Sequence, residues 1–478
     1  MAEQTLYIGG RWVGARGSFP VHDPATGAEI ARVADGGRAE AAAAIAAAQA
    51  AFPAWAARTG RERSLLLQAV CERMLQQREE LARIITREQG KPLRESRSEV
   101  DYAAEFFAWF AGEARRVYGE LIPASAPNKR LAVIRQPVGV VAAISPWNFP
   151  AATITKKIAP ALAAGCPVVI KPAEQTPLTA VALVETMAAV GFPAGVVNLI
   201  TAADPRPIGD EFLQNPAVAK ISFTGSTSVG KLLARGAAEQ LKGVALELGG
   251  HSPFLIFDDA DLPAAAEAAW ACKFRTAGQT CTCANRIYVQ AGVAERFNAL
   301  FAARLAATRV GPGTGEVDYG PLIDAQGYEK VTRHVADAVA KGATLVTGGH
   351  RLTGPEHAGG YFYAPTLLAG VTPEMLCCQE ETFGPVAPVA TFGDEAEAIA
   401  LANHTRYGLG AYFFTRDLSR ATRVAEALQY GVVGVNDAFP ATPQAPFGGV
   451  KESGVGREGG RQGLEEFLQV KFISTVIG

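Results

Sequence analysis

The segment Phe274-Arg275-Thr276-Ala277-Gly278-Gln279-Thr280-Cys281-Thr282-Cys283-Ala284-Asn285-Arg286 sets one cysteine among small residues close to a glycine. A thiol in such surroundings is reachable by a substrate, and as a thiolate it is a strong nucleophile. Glu247, in Leu246-Glu247-Leu248-Gly249-Gly250 about thirty residues earlier, offers a carboxylate able to move a proton or activate water. Together they form a candidate covalent catalyst. No metal is expected, because Cys281-x-Cys283 lacks the two-residue spacer of a zinc or redox pair and no histidine lies near it in sequence. Taken singly, each residue has a plainer reading: Cys281 as a small buried hydrophobe, Glu247 as a turn residue.

The elements that must position these groups follow from the hydrophobic pattern. The first third reads as helical, with Ala-, Leu-, Glu- and Arg-rich stretches at 38–58 and 61–88 and a third at 95–117. The aromatics Tyr102, Phe106, Phe107, Trp109 and Phe110 on that third helix read as core packing without a chemical role. From residue 131 short β-rich runs alternate with helices, with strands expected at 138–144, 167–170, 196–200, 218–223 and 244–248. Continuous apolar strands separated by helices imply a parallel sheet covered on both faces. Ligands then bind beyond the carboxyl ends of the strands, where Asn148, Lys171, Ser226 and Glu247 fall. A second βα region spans about 251–448, with strands at 253–257, 286–290, 411–415 and 431–435. The apolar run Val470–Ile477 has no partner adjacent in sequence. Exposed alone it would aggregate, so pairing with another domain or subunit is expected.

A length of 478 residues implies two or three domains, and 49% hydrophobic against 19% charged residues implies a globular chain. The net charge of −2 gives no footprint for nucleic acid or an anionic membrane. Seven cysteines, an odd number, do not read as a disulfide framework. With no leader pattern in Met1-Ala2-Glu3-Gln4-Thr5 and no membrane-length apolar run, a cytoplasmic location is expected.

Two motifs mislead. Gly454-Val455-Gly456-Arg457-Glu458-Gly459 matches GxGxxG but follows no strand, and reads better as a loop requiring positive φ. Gly225-Ser226-Thr227-Ser228-Val229-Gly230-Lys231 resembles a P-loop, yet Leu232 stands where a magnesium-binding hydroxyl is required. It still reads as a turn opening a helix, with free N–H groups able to meet a pyrophosphate.

Six separated segments then agree: Pro146-Trp147-Asn148-Phe149-Pro150, Lys171-Pro172-Ala173-Glu174, Phe223-Thr224-Gly225-Ser226, Glu247-Leu248-Gly249-Gly250, Gly278-Gln279-x-Cys281 and Glu381-Thr382-Phe383-Gly384-Pro385. In order and spacing they resemble the aldehyde dehydrogenase superfamily over essentially the whole chain. The resemblance implies an α/β fold in three parts. These are a Rossmann-type NAD(P)-binding domain (1–119 and 138–249), an α/β catalytic domain (250–448) and a small β oligomerisation element (120–137 and 464–478), assembled as a homodimer or homotetramer. It implies Cys281 as nucleophile, Asn148 with the Cys281 N–H as oxyanion donors, and Glu247 as the base that hydrolyses the thioester. It also implies Lys171 and Glu174 at the adenine ribose, Ser226 at the pyrophosphate, Glu381 at the nicotinamide ribose and Trp147 along the same cleft. A carboxylate at 174 suits a free ribose, so NAD is favoured, with NADP still open through Lys171.

Within the superfamily the chain looks most like the succinate-semialdehyde dehydrogenase group, on Phe106–Gly119 and Lys273–Gln279. That likeness makes Arg275 a carboxylate anchor and Thr442 a hydroxyl contact. Lys156 stands where the group commonly has a second arginine; it keeps the charge and loses the bidentate fork, or it is a helix-surface cation. Succinate, glutarate and 2-oxoglutarate semialdehydes all fit these expectations. Cys283 reads either as a redox partner of Cys281 or as an unreactive pocket thiol, and His251 as structural. A nucleotide-independent thiol esterase would use Cys281 and Glu247 alone.

Overall fold

A computed structural model of the chain describes residues 5–478. Met1–Gln4, where the leader reading and the 1–119 unit begin, lie outside the described residues. Valine, isoleucine and alanine runs form an eight-stranded sheet in the spatial order Gly454–Val455, Gly243–Glu247, Val218–Thr224, Val140–Ile144, Val168–Lys171, Val197–Leu199, Leu6–Ile8, Arg11–Val13. The strands from Gly243–Glu247 to Val197–Leu199 are mutually parallel, and the outer ones join antiparallel. Helices cover both faces and bury two apolar layers against them. Chain order reverses between Val140–Ile144 and Val218–Thr224, so a crevice opens past the carboxyl ends of these two strands.

A second sheet orders Thr344–Thr347, Thr366–Ala369, Val386–Phe392, Ala284–Gln290, Ser252–Ile256, Gly410–Phe414 and Val432–Val435, parallel except for its first pair. It too is packed on both faces. Among the described residues no helix is long and apolar enough to cross a membrane.

The N-terminal third is not simply helical. Leu6–Ile8 and Arg11–Val13 form a hairpin across Gly9-Gly10, whose φ values of 59° and 84° suit a two-residue turn. Gly17–His22 and Glu29–Asp35 form a second hairpin. The single helix expected at 61–88 is two, Gly60–Gln76 and Arg78–Gln89, broken at Gln77 (φ −94°, ψ 13°). Neither glycine nor proline marks that break.

Leu468–Val476 finds its partner within the chain, pairing antiparallel with Lys129–Pro137 along its whole length. Glu120–Ile122 completes a three-stranded sheet of which Leu468–Val476 is an edge. That edge strand is open and apolar, with Val470 65% and Phe472 57% exposed.

Candidate active site

The crevice holds the chemistry. Glu247 is the last residue of its strand, Lys171 the last of Val168–Lys171, Asn148 lies in the loop after Val140–Ile144, and Ser226 N-caps the helix Thr227–Ala238. A cavity of about 1040 Å³ is lined by Asn148, Ser226, Glu247 and Cys281, whereas Lys171 lies outside its lining. Trp147, Ser226 and Glu381 line it toward the strand ends, and Lys156 and Arg275 elsewhere.

Cys281 lies in the turn that leads into strand Ala284–Gln290. Thr276, Ala277 and Gly278 before it have φ of 52°, 56° and 73°, three consecutive left-handed residues of which only the last is glycine. Such a turn persists only where its surroundings hold it. Gln279 supplies part of that hold: its side-chain amide donates to Thr276 O and Pro321 O, and its carbonyl oxygen accepts from Ile323 N–H. Gly250 supplies more, since a Cβ there would lie 2.1 Å from the Cys281 carbonyl oxygen. The bare glycine lets the Glu247 loop close on the nucleophile's loop. Asn148 Nδ2 donates to Gln279 O at 2.9 Å, which ties the side-chain amide to the same loop. Burial pushes the Cys281 thiol up to about 12, with Glu381 adding to the effect and Lys156 opposing it.

Glu247 is 4% exposed, and its Oε2 has no hydrogen-bond partner among the described residues. Burial, then the neighbouring Glu458, raises its carboxyl well above the usual range, against Lys157, Lys156 and Arg457. Glu458 belongs to the glycine loop set aside as a decoy in the sequence. The positive φ values of Gly454, Gly456 and Gly459 confirm the loop reading, but Glu458 lines the cavity. It pairs with Lys157 Nζ at 2.5 Å, and Lys157 also donates to Thr224 Oγ1. Lys157 and Glu458 are separated by 301 residues in sequence, so no local pattern could have joined them.

The strand-end side of the cavity fits a dinucleotide. Gly225 and Ser226, at the N-terminus of Thr227–Ala238, line the groove, the place where a helix start can meet a pyrophosphate. A Cβ on Gly249 would lie 3.0 Å from Glu381 Oε2, so the glycine lets that carboxylate reach the groove floor. Glu381 Oε1 accepts the Gly250 N–H at 3.0 Å, and burial raises this carboxyl to about 7. Trp147 stands edge-on to Phe383, ring centroids 5.5 Å apart. Lys171 is buried and contacts Glu174 at 3.3 Å. Glu174 faces an adjoining recess rather than the main cavity.

Three cations line the cavity without an ion pair among the described residues: Arg275, Lys156 and Lys330. Arg275 lies between the rings of Phe149 and Phe439, 5.1 Å from each. Lys156 is not on the helix surface. At 8% exposure it sits in an aromatic cage, 4.1 Å over Phe447 and 5.3 and 5.5 Å from Tyr102 and Phe106. Burial alone would lower its pKa, but Tyr102, Glu458, Cys281 and Glu247 outweigh that and hold it above the ordinary lysine range. The aromatic stripe is core, with Phe106, Phe107 and Phe110 buried in it and Tyr102 and Trp109 packed against it, but Tyr102 and Phe106 also face Lys156, and Tyr102 reaches the cavity. Their four-residue spacing puts them on one helix face, a signal the composition reading passed over. Thr442 does not line the cavity, although Phe439, Pro440 and Ala441 do; its hydroxyl bonds Gln444.

Cys283 is buried outside the cavity lining, its thiol facing Lys273 Nζ at 3.4 Å and Asn285 Oδ1 at 3.3 Å. His251 is fully buried, and burial together with Arg286 holds it neutral, far below its usual pKa.

A thiol, a buried carboxylate and a dinucleotide-sized groove meeting at the switch point of a parallel sheet define an oxidoreductase acting through a covalent thioester. The family model described as "Aldehyde dehydrogenase family" matches residues 12–473. The chain belongs to the aldehyde dehydrogenase family, and it is an NAD(P)-dependent enzyme acting on an aldehyde. It is 51% identical to the 3-sulfolactaldehyde dehydrogenase of Pseudomonas putida over 99% of this chain and 97% of that protein. It is 50% identical to the glutarate-semialdehyde dehydrogenase of Pseudomonas putida, covering 98% and 97%. The NADP(+) succinate-semialdehyde dehydrogenase GabD of Escherichia coli is 49% identical with the same coverage. Among solved structures, betaine aldehyde dehydrogenase of Staphylococcus aureus in complex with NAD+ superposes with a TM-score of 0.97 at 39% identity, over 99% of this chain and 95% of that one.

Proposed function

We propose that the enzyme oxidises a short aldehyde carrying an anion at its far end, an ω-carboxylate semialdehyde of the succinate or glutarate type, to the free acid. One observation carries this: Arg275 and Lys156 line the Cys281 cavity, and neither is in ion-pair contact with a carboxylate among the described residues. A buried anion needs such fixed donors, and a neutral substrate would make no use of them. Relatives named for succinate semialdehyde, glutarate semialdehyde and the anionic 3-sulfolactaldehyde support the reading.

Cys281, as thiolate, adds to the aldehyde carbon, and Asn148 Nδ2 with the Cys281 N–H receives the oxyanion. The nicotinamide cofactor, when bound, supplies the hydride acceptor. Loss of hydride from the thiohemiacetal leaves a thioester on Cys281. Glu247, ionised, then takes a proton from water, and the hydroxide equivalent releases the acid and the thiol. A raised carboxyl suits this role, since a base works best with a pKa near the operating pH. The Glu247 base favours hydrolysis over transfer to an external thiol, and the cofactor contacts set out a purpose that a nucleotide-independent esterase would lack.

Glu174 beside Lys171 supports NAD over NADP, because a carboxylate there repels a 2′-phosphate. Trp147, Ser226 and Glu381 complete the cofactor contacts. The division into 1–119 with 138–249, 250–448, and 120–137 with 464–478 is supported by the three separate sheets, with Gly454–Val455 joining the first. The open edge of Leu468–Val476 favours a homo-oligomer.

The test is steady-state reduction of NAD and NADP with succinate, glutarate and 2-oxoglutarate semialdehydes and 3-sulfolactaldehyde, each against a neutral aldehyde of equal length. At least a tenfold preference in kcat/KM for the anionic member is expected. Equal rates would sink the anion reading, and acid release without any nucleotide would return the esterase.

A further inference from the structure

One helix touches both halves of the reaction centre. Leu93–Glu113 carries Glu95 and Glu99 four residues apart and so on one face. Glu99 Oε1 accepts the N–H groups of Ala151 and Ala152, at 2.9 and 3.3 Å, where the helix Ala152–Ala164 begins. Its other oxygen meets Lys91 Nζ at 2.6 Å. Lys91 in turn donates to the backbone carbonyl of Asn148, also at 2.6 Å, and its ammonium stands 3.8 Å over the Phe149 ring. Both side chains are wholly enclosed, at 0% and 1% exposure. Glu95, one turn earlier, accepts from the N–H and the hydroxyl of Thr276, at 3.0 and 2.9 Å. Thr276 is the first of the three left-handed residues that turn the chain toward Cys281.

We propose that this helix sets the distance between oxyanion donor and nucleophile, with Lys91 and Glu99 as positioning residues for Asn148 and Glu95 as the positioning residue for the Cys281 loop. The proposal rests on the roles given above to Asn148 and Cys281. A buried ion pair is a poor device for stability alone, because well-packed apolar residues do as well. This pair, however, ends on the carbonyl of the very residue whose side chain must meet the oxyanion. Lys91 grips Asn148 from the backbone side while Nδ2 reaches Gln279 O from the other. The loop is held at both ends, and its amide needs no reorganisation as charge develops on the substrate oxygen. A displacement of about 1 Å in such a group is enough to slow turnover roughly 100-fold.

The test is a double-mutant cycle on the full-length enzyme. Lys91→Met should lower kcat for the preferred aldehyde by about 10- to 100-fold with KM within about twofold. Iodoacetamide alkylation of Cys281, followed by mass on its peptide, should change far less than kcat, since the Cys281 loop keeps its bonds to Glu95 and within Gln279 and loses at most the one to Asn148. Lys91→Arg should recover much of the loss. Asn148→Ala should lower kcat, and Lys91→Met added to it should lower kcat no further, because Lys91 acts only through Asn148. Glu95→Ala should show the mirror pattern, a changed alkylation rate. Glu99→Gln, which keeps the shape and the one acceptor oxygen that Ala151 and Ala152 need but turns a donor NH2 toward Lys91 and removes the charge, serves if Lys91→Met does not fold. Multiplying losses in the double variant would overturn the proposal, as would an unchanged kcat in Lys91→Met. Normal turnover in Asn148→Ala would instead reject the oxyanion role itself, and the positioning claim with it.

Discussion

Arg275→Met removes the guanidinium while leaving an unbranched stem to pack between Phe149 and Phe439, each 5.1 Å away. For an anionic substrate the loss is one charge-assisted partner, about 1.5–3 kcal/mol. It rises toward about 3–5 kcal/mol when the abandoned charge stays buried. Lys156 remains in the same cavity, so the lower end of that second range, about 3 kcal/mol, is the better figure. At 1.36 kcal/mol per tenfold this is roughly 150-fold in kcat/KM. The anchor is distant from the bond that changes, so it holds ground state and transition state alike, and the loss should fall on KM rather than kcat. NADH absorbance with a semialdehyde and with a neutral aldehyde of equal length gives both parameters. The neutral substrate should change less than about twofold, having no charge to lose. An equal loss on both substrates would show that Arg275 supports the ring packing and anchors nothing. A loss under about fivefold on the semialdehyde would likewise refute the assignment.

Glu247→Gln should give a burst of about one NADH per site and then stall as the thioester, while Cys281→Ala should give no NADH yet still bind the dinucleotide; steady turnover in either contradicts the roles. Because burial and Glu458 hold the Glu247 carboxyl above its usual range, the ionised base accumulates only as pH rises through that raised pKa. Thioester hydrolysis should climb with it. Glu458→Gln removes the like charge, so the acid limb should move to lower pH; a move upward, or none, disproves the coupling. Lys157→Met should destabilise the fold by about 3 kcal/mol, since it leaves Glu458 buried without its cation, and Lys157→Met with Glu458→Leu should recover much of this in denaturant titrations. Peroxide inactivation reversed by thiols should disappear in Cys283→Ala if Cys283 is the redox partner; an unchanged response leaves it an enclosed thiol, as its contacts with Lys273 and Asn285 favour.

Legibility followed locality. Cys281 and Glu247 stood out by residue type and Asn148 and Ser226 by their place past strand ends, and the six short motifs around them, each local in the chain, carried the resemblance that gave all four their roles. Gly9-Gly10 between Leu6–Ile8 and Arg11–Val13 was equally legible as a hairpin turn, but helix-forming composition nearby masked it. Pro388 hid the central strand Val386–Phe392, since proline inside a strand argues against one. Only the resemblance singled out Lys156; nothing in the helix pattern separates it from Lys157. They are adjacent, and the 100° turn between helical neighbours sends one into the aromatic cage and the other to Glu458. Glu458, Lys91 and Glu99 were silent because their meaning lies in partners far along the chain.

The pairing of Lys157 with Glu458 also orders events during synthesis. Lys157 leaves the ribosome 301 residues before its counter-charge. The first sheet can assemble its parallel strands early, but it lacks Gly454–Val455 and carries a buried cation without a mate until the last stretch is made. The closing strand Leu468–Val476 then pairs with Lys129–Pro137 and draws that stretch home. A nascent chain thus acquires its reactive thiol well before the charges that surround Glu247 are complete. The last-made residues therefore complete the electrostatic surroundings of Glu247.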